Sequence, residues 1–211
     1  NGLKNYSSIL TNQVGKRYYI STYHLYFKHS YEDFMQALDS LFERYFWCIP
    51  SATNSDTDIS LYQHAKTTAA FAASLYTFQK ECNNLSEAAL QKSDEKKFLF
   101  IKGDFSGIQK YIFDLKSHKD SSRLLRAKSF EIATLGEIIS KYIVKSFDMP
   151  DANIITSAGG KFMILLPNTA KTKELLPQVQ LEIETFFLNE YDGKIAVIIS
   201  DGVEASADEV Q

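Results

Sequence analysis

The sequence predicts an α+β protein, because apolar residues follow a helical period in its first part and strand-like patterns in its second. Residues 98–101 are wholly apolar, as in a central strand, and a pair of glycines between two later apolar runs predicts a hairpin. The predicted strands are 98–101, 154–157, 162–166 and 195–199, and the predicted helices are 108–115, 124–147 and 172–190. The resulting order, β-α-β-β-α-β, is that of a ferredoxin-like domain.

An N-terminal helical segment is expected to precede this domain, with residues 1–95 forming the helical region and residues 96–211 the sheet domain. Apolar steps of three and four predict a helix over 31–47. A second helix is predicted over 61–80, with Ser60 and Gln63 as its capping box and an apolar stripe that includes Ala65 and Ala69. We expect that stripe to face a neighbouring helix. A connector with a short helix is predicted over 81–97, and the aromatic run at 18–27 is either a strand or a loop.

Composition limits the possible partners. A formal net charge of −3 gives no global attraction to nucleic acid or to an anionic membrane, so such a contact would need a local patch. The two cysteines, Cys48 and Cys82, are far apart, which excludes a disulfide framework and a four-cysteine zinc site and favours a reducing cytoplasm. No apolar run approaches the length of a membrane span. The chain begins with Asn1 rather than Met, and we expect it to be a piece of a longer protein.

The first candidate for chemistry is Gly103-Asp104-Phe105-Ser106-Gly107, which joins the first strand to a helix. A helix that begins there would offer unpaired N–H groups to a phosphate, and the glycines would let the backbone approach it. Asp104, just beyond the strand, is also a candidate ligand for Mg²⁺. The alternative is a tight turn in which the glycines serve geometry and Asp104 or Ser106 caps the helix.

The second candidate is Gly159-Gly160-Lys161 in the predicted hairpin. In a ferredoxin-like sheet this hairpin lies beside the first strand, so the two glycine segments would frame one surface, with Lys161 as a cation for a triphosphate. No acidic residue follows the glycines, so the hairpin cannot by itself complete a two-metal carboxylate site. Two glycines in a hairpin turn also need no ligand, and both interpretations stay open here.

Two further features have a functional and a simpler interpretation. His64, in the first turn of the second helix, is a surface or packing residue unless other ligands converge on it. Arg123, Arg126 and Lys128 form a short basic cluster, which is either a solvated helix face or an RNA contact.

Several segments, in this order, resemble one known family. The segments are 43–50, 58–70, 102–109, 124–130 and 157–162. They resemble the large signature subunit of type III CRISPR effector complexes, and most closely its type III-A branch. The first two are similar to the junction after its HD nuclease domain, and the last three to its first Palm domain.

This resemblance implies an antiviral function. In the family, two Palm domains face each other and bind ATP together with Mg or Mn. The ATP molecules are joined into cyclic oligoadenylates when target RNA is bound. The catalytic carboxylates belong to a Gly-Gly-Asp-Asp hairpin of the second Palm, which this sequence does not contain, so the intact protein would be a nucleotidyltransferase whose non-catalytic, ATP-binding half lies here. The residues cast as nucleotide-binding are Gly103, Asp104, Ser106, Gly107, Gly159, Gly160 and Lys161.

The resemblance also implies partners and a second metal site. Expected partners are the other subunits of the effector complex, the second Palm domain of the same chain and, indirectly, guide RNA and target RNA. His64 would be a ligand of the divalent metal at the HD site, although Gln63 stands where the family usually has Asp and the His-Asp pair of the nuclease is absent. The alternative function is a structural or RNA-contacting ferredoxin-like module that binds no nucleotide.

Overall fold

The computed structural model describes residues 31–52, 58–114 and 121–210. The chain divides into two compact units, residues 1–63 and residues 64–211. In the first unit, α1 (Tyr31–Phe46) is the amphipathic helix that the periodicity predicts. The predicted aromatic segment at 18–27 lies outside the described residues.

The second helix, α2 (Leu61–Glu81), begins in the first unit, and its residues from His64 onward belong to the second. The Ser60 hydroxyl accepts a hydrogen bond of 3.0 Å from the Gln63 N–H, which confirms the predicted N-cap. The Tyr62 hydroxyl donates to Asp39 of α1 at 3.2 Å. Burial, reinforced by the charge of Asp39, raises the pKa of Tyr62, so the phenol stays protonated and α1 stays joined to the start of α2.

The second unit contains the sheet and the helices that cover it. Its further elements are α3 (Glu87–Gln91), β1 (Phe98–Ser106), α4 (Ile108–Phe113), α5 (Ser121–Ser146), a 3-10 turn (Asp151–Asn153), β2 (Ile154–Ala158), β3 (Lys161–Pro167), α6 (Ala170–Tyr191), β4 (Ala196–Ile199), β5 (Val203–Ala205) and α7 (Ala207–Val210). The strand order is β2-β3-β1-β4, with β5 also paired to β1, and every pairing is antiparallel. The predicted α+β fold with ferredoxin-like strand order is confirmed.

Strand β1 is longer than predicted, and this changes the place of Asp104. The strand continues to Ser106, so Asp104 lies inside it rather than beyond its end. The second half alternates strictly: Gly103 and Phe105 face the core, whereas Asp104 and Ser106 are exposed. The wholly apolar pattern used to predict the strand holds only where both faces are covered, so it stopped too early.

Two different layers cover the two faces of the sheet. The main core lies between the sheet and the helices α5 and α6, and it includes Ile101, Ile143 and Ile164. On the opposite face, α2 packs over the first part of β1, where the Phe71 ring meets the Phe98 ring edge-on with centroids 4.9 Å apart. The structure thus has a helix on each side of the N-terminal half of β1.

The face of α2 that packs on the sheet is not the predicted one. Ala70, Ser74 and Phe78 are buried, whereas Ala65 and Ala69 are exposed. The predicted stripe was therefore wrong, and the partner of the buried face is the sheet rather than a helix. Alanine is small enough to occupy either face, so the large phenylalanines were the better guide to the buried side.

Asn153 fastens α2 to the sheet from inside the core. Its side chain is fully buried, and its amide donates to the Leu165 carbonyl at 2.6 Å and to the Ser74 hydroxyl at 2.9 Å. These bonds satisfy polar groups that would otherwise be buried without partners.

Lys97, next to the start of β1, is also buried. Its ammonium donates to the carbonyls of Ala89 and Lys92, each at 2.6 Å, and so caps the C-terminal end of α3. A positive charge on terminal helix carbonyls is favourable, and here it closes the connector against the sheet.

Candidate functional site

One end of the sheet remains uncovered on the α2 side in the described part of the chain. Asp104 and Ser106 of β1 lie on this face, and Lys161 of β3 is the register partner of Asp104. The turn of Gly159 and Gly160 joins β2 to β3 at the same end. We call this surface, made of Asp104, Ser106, Lys161 and the Gly159-Gly160 turn, the open sheet end.

Asp104 and Lys161 form a loose ion pair at the open sheet end. The Lys161 Nζ lies 3.9 Å from an Asp104 carboxylate oxygen, and the side chains are 74% and 60% exposed. Such an exposed pair contributes only about 0–1 kcal/mol to stability, so an incoming anion can replace Asp104 as the partner of Lys161 at little cost. No group of three His, Cys, Asp or Glu side chains that could hold a metal occurs among the described residues. Among the described residues, Asp104 therefore does not belong to a three-ligand metal cluster.

Two glycines allow close backbone packing around the open sheet end. Gly107, with φ +85°, starts α4, and a Cβ there would lie 2.3 Å from the Lys194 carbonyl oxygen. Gly160, with φ +81°, would place a Cβ 2.4 Å from Cδ1 of Ile108. Its carbonyl also accepts a hydrogen bond of 2.8 Å from the Phe105 N–H. The hairpin turn and the start of α4 are therefore packed directly against each other.

The other two glycines predicted to bind nucleotide, Gly103 and Gly159, have different surroundings. A Cβ on Gly103 would fall 1.9 Å from the Phe162 ring, so this glycine makes room for a buried aromatic side chain on the core face. A Cβ on Gly159 would have no atom within 4 Å of it, and this glycine is exposed at the tip of the hairpin. Of the two, only Gly159 presents backbone to the open surface.

Helix α4 is shorter than predicted, with six residues from Ile108 to Phe113. A helix of fewer than two turns has only a weak dipole, so the N-terminus of α4 attracts a phosphate much less than the sequence led us to expect. The predicted helix end at residue 115 lies outside the described residues.

Lys128 of α5 holds the C-terminal end of α4. Its ammonium donates to the carbonyls of Tyr111 at 2.6 Å and Asp114 at 3.0 Å, and it lies 4.6 Å from the centre of the Tyr111 ring. The sequence places this lysine beside Arg123 and Arg126, in a cluster predicted to be solvated or RNA-binding. The two arginines are exposed, whereas Lys128 has an internal structural role.

Glu131, one turn further along α5, accepts hydrogen bonds from two tyrosines. The Tyr111 hydroxyl of α4 donates at 2.8 Å and the Tyr191 hydroxyl of α6 donates at 2.9 Å, and the two rings meet edge-on with centroids 5.9 Å apart. Burial, together with the hydrogen bond to Glu131, raises the pKa of each tyrosine to about 12. This arrangement was not predicted from the sequence, because its three members come from three separate helices.

His64 lies on the exposed surface of α2. Its backbone carbonyl accepts a bond of 2.8 Å from the Thr68 hydroxyl. The described residues place no set of further ligands with it, and its metal-binding role stays a prediction.

Comparison with known families identifies the second unit. The family model described as Csm1 subunit domain B matches residues 97–211, more than half of the chain. The chain belongs to the Csm1 family. This agrees with the type III-A resemblance of the glycine segments, all of which fall within the matched region.

Curated relatives carry the same family name. A protein of Methanocaldococcus jannaschii, described as the CRISPR system single-strand-specific deoxyribonuclease Cas10/Csm1 of subtype III-A, is 31% identical over 191 residues, covering 79% of this chain and 24% of its own length. A Streptococcus thermophilus protein of the same description is 31% identical over 182 residues, covering 82% of this chain and 24% of its own. The chain spans about a quarter of the length of these relatives.

Solved Csm1 structures share the fold. The crystal structure of Csm1 in T. onnurineus matches with a TM-score of 0.68 at 27% identity, over 81% of this chain and 23% of that chain. A Csm1–Csm4 cassette in complex with AMPPNP matches with a TM-score of 0.68 at 29% identity, over 81% and 22%. A cassette in complex with cA4 gives 0.67 at 28%, over the same shares. In the described part of this chain, no helix has the length and hydropathy needed to cross a bilayer.

Proposed function

We propose that this chain contributes the non-catalytic, ATP-binding half of a cyclic oligoadenylate synthase site, as the first Palm domain of a type III-A effector large subunit. The observation that carries the proposal is the open sheet end, where an exposed lysine and a glycine turn adjoin the single carboxylate of that surface, Asp104. A cation and an accessible backbone turn suit a nucleotide triphosphate, whereas one carboxylate does not make a two-metal catalytic site. The Csm1–Csm4 cassettes in complex with AMPPNP and with cA4 support nucleotide binding in the same family.

Each residue of the open sheet end has a distinct role in this proposal. The Lys161 ammonium binds phosphate oxygens once its weak ion pair with Asp104 has broken. Gly159 presents exposed backbone to the nucleotide, and Ser106 offers a hydroxyl on the same face of β1. Gly103, Gly107 and Gly160 act indirectly, because their missing side chains let the surrounding strands and α4 pack closely.

Metal ions and partners belong to the intact protein. Mg or Mn would neutralise charge on the triphosphate, and Asp104 would contact such an ion only when the nucleotide brings it, because a single carboxylate does not hold it tightly. In the intact protein, residues 1–95 would be the end of the HD nuclease region and residues 96–211 the first Palm domain, with His64 contributing to a divalent metal site. The proposed partners are the second Palm domain, a Csm4-like subunit and, through the complex, guide and target RNA in the cytoplasm.

The test is to titrate ATP into a longer polypeptide that carries both Palm domains and to measure the affinity by calorimetry. Lys161→Ala should weaken ATP binding about tenfold, the size of one lost charge-assisted hydrogen bond. Lys173→Ala is the matched control, because Lys173 is also an exposed lysine paired to a carboxylate, 2.6 Å from Glu204, and it should leave the affinity unchanged.

Asp104→Ala separates the two roles of the carboxylate. With Mg²⁺ present, we expect weaker ATP binding, and with the metal chelated we expect binding at least as tight as in the wild type, because a negative charge beside the triphosphate has been removed. Unchanged affinity under both conditions would count against Asp104, and equal effects of the Lys161 and Lys173 variants would count against the open sheet end.

A further inference from the structure

Helix α4 is held at one end by a set of side chains that the proposed nucleotide site does not use. Glu131 accepts from Tyr111 at 2.8 Å and from Tyr191 at 2.9 Å, and Lys128 donates to the Tyr111 carbonyl at 2.6 Å. Tyr111 is therefore fixed at both its hydroxyl and its carbonyl, by two residues of the long helix α5. We call Glu131, Tyr111, Tyr191 and Lys128 the α4 clamp.

The other end of α4 leads directly to the open sheet end. The Tyr111 N–H donates to the Gly107 carbonyl at 3.0 Å, which forms the first turn of α4. Ile108 in that turn packs against Gly160, because a Cβ on Gly160 would meet Ile108 Cδ1 at only 2.4 Å. A displacement of Tyr111 would therefore move the surface against which the hairpin turn rests. Since α4 has six residues, it has too few internal bonds to hold this position alone.

We propose that Glu131 is a positioning residue for nucleotide binding, which acts through Tyr111 and α4 on the Gly159-Gly160 turn and Lys161. This inference rests on the proposed function, because the open sheet end must bind the nucleotide for its position to matter. Glu131 does not touch the nucleotide. It sets the affinity by holding α4, and through α4 the Gly159-Gly160 turn, in position. Tyr191 holds the carboxylate from the side of α6, and its ring meets the Tyr111 ring edge-on.

The experiment compares variants of the longer polypeptide with both Palm domains, measuring its ATP-dependent product formation. Tyr111→Phe and Glu131→Ala should raise the KM for ATP about threefold to tenfold, the equivalent of one hydrogen bond, with kcat unchanged. Glu131→Gln should recover part of the loss, because its amide oxygen still accepts one of the two hydroxyls. A residue needed only for folding would instead lower the active fraction and hence kcat.

A control variant outside the α4 clamp makes the comparison specific. Tyr142→Phe removes another tyrosine–carboxylate bond between α5 and α6, to Glu182, that has no contact with α4. Tyr142→Phe should change the KM less than about twofold, which is under one hydrogen bond. Tyr191→Phe removes the other bond to Glu131, and it should raise the KM less than Tyr111→Phe does, because the bond from Tyr111 remains. An equal rise in all variants, or a fall in kcat with the KM unchanged, would overturn the positioning role.

Hydrogen exchange separates failure of this inference from failure of the proposed function. If the wild type neither binds nor turns over ATP, the proposed function is wrong, and the clamp is judged by amide exchange alone. Tyr111→Phe should then speed exchange in residues 107–113 and at the hairpin turn, and Tyr142→Phe should not. Unchanged exchange in both variants would refute the clamp itself.

Discussion

Gly107 offers the sharpest test of how the open sheet end is built, through substitution by alanine. Gly107 has φ +85°, and a Cβ there would lie 2.3 Å from the backbone oxygen of Lys194. Gly159 is a matched control, because its φ of +62° imposes a similar backbone penalty while nothing lies within 4 Å of the added methyl. The difference between the two variants therefore isolates the steric clash.

The magnitude follows from these two contributions. An alanine in the left-handed region costs about 1–2 kcal/mol at either position. At Gly107 the clashing atom is backbone, which cannot rotate away, so the strand and loop around Lys194 must shift at a further cost of about 1–3 kcal/mol. We expect Gly159→Ala to lower the free energy of unfolding by about 1–2 kcal/mol and Gly107→Ala by about 2–5 kcal/mol.

The assay is urea unfolding followed by far-UV circular dichroism, with the free energy extrapolated to water and the slopes compared. Equal destabilisation by the two substitutions would refute the reasoning, because the Lys194 contact would then contribute nothing. A smaller loss for Gly107→Ala than for Gly159→Ala would show that α4 does not pack as described.

Three further predictions concern polar groups that are buried or half-buried. Lys97→Met keeps the aliphatic stem but leaves the carbonyls at the end of α3 without their donor, and it should lower the free energy of unfolding by about 3 kcal/mol in the same urea assay. Asn153→Ala removes the bonds between α2 and the sheet and should lower it by about 2–3 kcal/mol, with a faster amide exchange of α2 as the second readout. Because the pKa of Tyr111 and of Tyr191 is raised in the folded state from 10 to about 12, the stability they contribute is complete below pH 10 and is lost as the pH rises to about 12. A variant with both tyrosines changed to Phe should lose less stability across that range, and an identical pH dependence would contradict the role of the Glu131 bonds.

Much of the fold could be predicted from the sequence, because each of its main elements has a local pattern. The paired glycines, with φ values of +62° and +81°, form the tight hairpin turn that their spacing predicts. The four-strand order followed from these elements and the ferredoxin-like rule. The fifth strand, Val203–Ala205, was missed because three residues are too few to show a period.

The site was only partly predictable, for a physical reason. Asp104 and Lys161 could be placed together, since adjacent strands in a known topology bring them into register. The α4 clamp could not be predicted, because the partners of Glu131 are 20 and 60 residues away in sequence and only the packing of three helices brings them together. Lys97 was likewise hidden, because a lysine in a charged connector is usually solvated, and its burial depends on where α3 ends.

The most direct test of the proposed nucleotide site is a structure of the longer polypeptide with AMPPNP bound. We predict triphosphate oxygens within hydrogen-bond distance of the Lys161 ammonium and of the Gly159 backbone, with Asp104 released from its ion pair with Lys161. A nucleotide bound elsewhere, with the Asp104–Lys161 pair intact and the open sheet end covered by protein, would contradict the proposal.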